Sequence, residues 1–161
     1  MNWEAIGAVA EACAALGVLI SLIYLARQIR FNSEEVRSNT TQAVLDRSVA
    51  NYSDALIAGA IPVVDRVFRG KSESDEDYAI AFGFVLRNLQ HAELVFLLYK
   101  EGRIAKEVMD SYDRKILTYL EHLKIVGGHG ADEWGKWNSA FTLFTDSFRE
   151  HCESLRAQTD A

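Results

Sequence analysis

Between Ile6 and Ala26 the chain runs for 21 residues with a single charged side chain, Glu11. As an α-helix rising about 1.5 Å per residue, this stretch is about 31 Å long, close to the thickness of a bilayer's hydrocarbon core. Trp3 and Tyr24 stand near its two ends, where amphipathic rings favour the membrane interface. A cleaved signal peptide would need a basic start, a shorter apolar run and a small-residue cleavage site. Here the start carries Glu4 and no Lys or Arg, and "YLARQIR" offers no such site. A helix buried in a soluble bundle could also have this composition, but span length and flanking charge favour a membrane crossing. Arg27, Arg30 and Arg37 follow the span, whereas its N-terminal flank has no basic side chain. The positive-inside rule therefore puts the N-terminus outside and the remaining ~130 residues in the cytoplasm.

The span has two unlike sides. At the alternating three- and four-residue spacing of packed helices, one line holds Glu4, Gly7, Glu11, Ala14, Val18, Ser21, Leu25, Gln28 and Asn32. It continues through Glu35, Asn39, Gln42 and Asp46 if the helix runs on. Within the span its members are acidic, small, hydroxylic or modestly apolar. A second line, Ile6, Val9, Cys13, Leu16, Ile20 and Ile23, is almost wholly bulky and apolar. Lipid tails suit the second line; the first needs cover from other helices or from water. In a homo-oligomer with the first line turned inward, Glu4 and Glu11 make two acidic rings at the outer mouth. Ser21 and Gln28 add polar rings further in. Acidic rings are one way to select cations, here monovalent ones. A plainer arrangement uses the same residues: Gly7, Ala10, Ala14, Gly17 and Ser21 let helices approach closely, and Glu11, about 7.5 Å inside the apolar edge, reaches the interface.

"WEAIGAVAE", the apolar helix and then "LIYLARQIRFNS" together resemble a family of short bacterial single-pass membrane proteins with no assigned activity. In that family a hydrophobic N-terminal helix precedes a QIRxN segment and a helical cytoplasmic region. The resemblance spans Trp3 to Ser33. It implies a bacterial inner-membrane location and carries over no catalytic residue.

Beyond Arg30 the chain stays helical in character, with one proline in 161 residues. Leu45, Val49, Tyr52 and Leu56 form an apolar line at four-three-four spacing, which extends the first helix to about Ala58. Gly59 and Pro62 then break it, "PVVDRVF" reads as a short helix, and "GKSESDED" as a polar loop. Ser74 followed by Asp75, Glu76 and Asp77 marks a helix start. The run "YAIAFGFVLRNLQHAELVFLLYK" is not a second span, because Arg87, Asn88, Gln90, His91 and Glu93 crowd its centre. It reads as the central buried helix of a bundle, ending at Gly102. The next helix turns Ile104, Val108, Tyr112, Ile116, Leu120 and Leu123 inward. "GGHGAD" is a loop, Asp132 caps a last helix, and Trp137, Phe141, Phe144 and Phe148 form its core stripe.

The fold expected is thus all-α: a transmembrane helix with flanks over 1–30, continuing into a cytoplasmic helical bundle over 31–161. Known chemistries leave no signature. The Glu-x-x-His pattern of di-metal bundles is absent, and His91 is expected to be a satisfied core group. His122, His129 and His151 have no partner spacing, and "HCE" at 151–153 is no zinc motif. "GGHG" lacks the lysine and hydroxyl of a phosphate loop, and there is no nucleophile elbow. Cys13 and Cys152 make no disulfide framework. A net charge of −6 argues against nucleic acid as a partner. No enzyme and no cofactor are expected. Two functions remain: a homo-oligomeric candidate cation pore lined by the first helix, or a membrane-anchored scaffold whose cytoplasmic bundle binds a protein partner.

Overall fold

The computed structural model describes residues 2–72, 74–127 and 141–159. Among them are five helices and no strand: α1 (Trp3–Ile57), α2 (Ala60–Phe68), α3 (Asp75–Lys100), α4 (Lys106–Gly127) and α5 (Asp146–Thr159). The chain divides into two compact units, Met1–Asn39 and Thr40–Ala161.

In the first unit α1 is uninterrupted, as its lack of proline allows. Every described side chain from Asn2 to Asn39 is exposed, the bulky ones of the apolar run included. This segment is the one helix among the described residues that is long and apolar enough to span a membrane, and none of its apolar window is buried by the chain itself.

In the second unit the remainder of α1, ending at Ile57 as its periodicity predicts, is followed by four further helices. Pro62 lies in the first turn of α2, where its missing N–H costs no helical hydrogen bond. α2 and α3 both end on a left-handed glycine, Gly70 (φ +63°) and Gly102 (φ +72°). In each case the paired bonds of a Schellman turn close the helix: Lys71 N–H to Arg66 O and Gly70 N–H to Val67 O, then Arg103 N–H to Leu98 O and Gly102 N–H to Tyr99 O, all 2.9 Å. Ser74 caps α3 as expected, accepting from the Asp77 N–H at 3.4 Å. Asp77 is bonded by Ser72 at 2.6 Å and Arg66 at 3.0 Å, which hold its carboxyl below the usual range and tie α2 to the start of α3.

The core is an apolar seam between α3 and α4. Ala81, Val85, Leu89, Ala92 and Val95 meet Met109, Tyr112, Ile116, Leu120 and Leu123. α2 adds Val64 and Val67, and Phe141, Phe144, Phe148 and Cys152 close the other side. Each fully buried aliphatic or Phe side chain contributes about 1.5–3 kcal/mol, so this seam dominates the unit's stability. The expected inward line of α4 is present, with Val108 partly buried. The last helix departs from expectation. Phe141, Phe144 and Phe148 are core aromatics, but a turn over Phe141–Thr145 separates the first two from α5. Glu93 of α3 fixes that start by accepting the Thr145 N–H at 2.6 Å, placing a carboxylate at the positive end of α5. The expected loop "GGHGAD" begins at Gly127, which is still the last residue of α4; its remainder, the Asp132 cap, His129 and Trp137 lie outside the described residues.

α1 joins this bundle through a narrow polar seam. Val44, Asn51 and Ala55 are buried with Ser48 half-buried, while the larger apolar line Leu45, Val49, Tyr52 and Leu56 stays 47–67 % exposed. Arg87 of α3 donates to Asn51 Oδ1 at 3.1 Å and to Asp54 at 2.7 Å. His91 is the buried, satisfied group anticipated: its Nε2 lies 3.1 Å from the Tyr112 hydroxyl, and the Val44 carbonyl is a further partner.

Burial drives the pKa of His91 down from its ordinary 6.5, against the Val44 carbonyl and with help from Lys115 and Arg47. Burial also lowers His122, which stacks on Phe68 at 3.8 Å. Both rings are neutral when folded and bind a proton more readily unfolded, so stability is full above about pH 6.5 and falls as pH drops below it. The melting temperature in detergent should therefore decline from pH 6.5 to pH 5.5. A His91→Gln/His122→Gln variant should lose most of that decline, and an unchanged slope would contradict the assignment.

Candidate functional site

The nine residues of the expected interface stripe all lie on α1, successive members about one turn apart. Glu4, Gly7, Glu11, Ala14, Val18, Ser21, Leu25, Gln28 and Asn32 are all exposed. A strict heptad line drifts about 20° per heptad around a straight helix, or about 80° from Glu4 to Asn32. The stripe makes one continuous seam only if neighbouring helices coil left-handedly about each other. Glu4 and Glu11 are separated by about 10.5 Å along the axis, enough for two distinct carboxylate levels.

The members differ in what they need. Ser21 Oγ donates to the Gly17 carbonyl at 2.8 Å, and Ser33 does the same to Ile29 at 2.9 Å. These hydroxyls are satisfied within their own helix, so Ser21 is cheap in lipid and demands no partner. Around Gly7 and Gly17 there is open space: a Cβ at either would meet nothing within 4 Å in the single chain. Glu11 is different. It is the charged group inside the apolar run, and a carboxylate placed in hydrocarbon there would call for water or a neighbouring chain.

The bundle brings together other reactive side chains that the sequence separates. His151 Nε2 and Asp113 Oδ1 are 2.8 Å apart, and the ring stacks on Phe96 at 4.6 Å. Cys152 adjoins them in sequence, which suggests a thiol, imidazole and carboxylate constellation. The thiol is fully buried, and burial with the nearby Asp113, Glu93 and Glu153 carboxylates pushes its pKa up to about 12. It stays protonated at neutral pH and serves as core packing. Among the described residues no group of three or more His, Cys, Asp and Glu is arranged to hold a metal ion.

An open pocket of about 350 Å³ lies between α1, α3 and α4, with Lys115 and Tyr119 on its wall. The signal for it was present on α4: Val108, Tyr112, Lys115 and Tyr119 fall at four-three-four spacing, which inserts a lysine into an otherwise inward line. Compared with known proteins, the chain matches no family model, no curated protein and no solved structure.

Proposed function

We propose that the chain is a single-pass membrane protein whose first helices assemble with one another around a narrow cation pathway. The observation that carries this reading is the wholly uncovered α1 segment, with bulky apolar residues on one line and small or polar ones on another. Lipid accounts for the first line. A second copy of the same stripe accounts for the second, because small residues let backbones approach and identical carboxylates can share a wet axis. Glu4 and Glu11 then form the outer acidic rings, Gln28 the polar inner one, and Ser21 a narrow hydroxylic level. Monovalent cations are the species such rings attract. The three arginines after the span put the second unit in the cytoplasm and the N-terminus in the periplasm. The bacterial inner membrane follows from the resemblance of residues 3–33. No catalytic step and no cofactor belong to this reading.

The exposed line of Leu45, Val49, Tyr52 and Leu56 favours a second reading, in which the span is an anchor and the bundle holds a protein partner. Cation flux into vesicles separates the two. Wild-type protein should conduct, and Glu11→Gln should reduce flux by roughly tenfold or more, since a fixed carboxylate concentrates cations locally. Absence of flux from wild type across voltage, pH and membrane tension would remove the pore and leave the anchored scaffold. Orientation has its own check. A reporter enzyme active only in the periplasm, fused after Ala161, should stay silent, and strong activity would reverse the topology.

A further inference from the structure

The pocket between α1, α3 and α4 lies wholly within the second unit and is independent of whether the first helices conduct. Its volume of about 350 Å³ falls at the small end of the range for ligand sites, roughly 300–1,000 Å³. Val49 of α1 and Phe84 of α3 supply apolar walls, and Tyr52 adds an aromatic edge. Polar groups converge on the same space. Tyr119 is a neutral phenol, because burial raises its pKa, so it has a hydroxyl to donate. The Asn88 amide is held in place by its bond to the Phe84 carbonyl at 2.8 Å, and the Ser48 hydroxyl by Tyr112.

The decisive group is Lys115. Its ammonium sits 4.3 Å from the centre of the Tyr112 ring, a cation–π contact that fixes the head at the pocket wall. The side chain is half-buried, and among the described residues no carboxylate pairs with it. Burial lowers its pKa, as expected of a cation short of compensation. The pocket lining holds no Asp or Glu. By contrast Arg66, Arg69, Arg87, Lys106 and Lys124 of the bundle each have an acidic partner within 3.0 Å. A partly desolvated charge normally has its counter-charge nearby, and here none of the described residues supplies it.

We propose that this pocket binds a small organic monocarboxylate, its carboxylate received by Lys115 and Tyr119 and its ring or short chain lodged between Val49 and Phe84. A single ammonium and a phenol suit one negative charge. A phosphate would call for a fork of donors or a row of backbone N–H groups, and neither faces this space. The same carboxylate could be presented by an acidic side chain of a second protein chain, so the experiment uses free ligands.

Full-length protein in a neutral maltoside detergent is titrated with 4-fluorobenzoate and with its uncharged analogue 4-fluorobenzamide, followed by fluorine NMR. The benzoate should bind saturably with a Kd about tenfold below that of the amide. Lys115→Met should abolish that difference and Lys115→Arg should retain it, while Val49→Trp should weaken both ligands by filling the apolar wall. Far-UV circular dichroism identifies any variant that fails to fold, and the Arg variant keeps the charge requirement testable in that event. Equal affinity for acid and amide, or a preference that survives Lys115→Met, would overturn the proposal. So would failure of every free carboxylate to bind, and if Lys115→Met then altered the oligomer mass, the pocket would belong to an acidic side chain of another chain.

Discussion

Apolar side chains left in water cost about 25 cal/mol for every Å² they expose, and the first helix of this chain exposes every described one up to Asn39. No other constraint in the molecule is as large. The helix can satisfy its backbone internally, and Ser21 and Ser33 bond back onto their own turns, so hydrocarbon is an acceptable solvent for almost everything between Ile6 and Ala26. Glu11 is the exception, and it stands on the side with the smallest neighbours.

The second unit is built on a different balance. α3 and α4 meet mainly through apolar side chains, with the His91–Tyr112 bond as the polar contact in their seam. α1 is attached instead by hydrogen bonds and charge: Arg87 to Asn51 and Asp54, Ser48 to Tyr112, and the Val44 carbonyl to His91. Polar seams of this kind demand complete satisfaction, since each orphaned group costs about 1–3 kcal/mol. They also leave space between helices where long polar side chains replace close packing, and the pocket holding Lys115 is such a space.

Much of this was legible in the residues. The long run without proline, the Gly59–Pro62 break, the Ser74 cap and the glycine at 102 each have a local cause, and the helices begin and end where those causes act. Which face of α1 meets the bundle was not legible. Val44, Ser48, Asn51 and Ala55 share their spacing with Leu45, Val49, Tyr52 and Leu56, one residue out of phase. Periodicity favours the larger line, yet the smaller one is buried because Arg87 and His91 need polar partners at close range. The turn before α5 was hidden for a similar reason. No glycine or proline marks it, and its cap depends on Glu93, 52 residues away in sequence. The stripe on the first helix needed only one helix to be read. The pocket needed three, and only Lys115 hinted at it.

A pathway can form only if the small and polar side of the first helix meets its neighbours. In a Cys13→Ser background, single cysteines placed at Ala14, Val18 and Leu25 sample the polar and small stripe, and at Val9, Leu16 and Ile20 the bulky line. Oxidative cross-linking in native membranes should join chains through the first set and leave the second monomeric. Cross-links confined to the second set, or none at any of the six positions, would contradict the assembly on which the pathway depends.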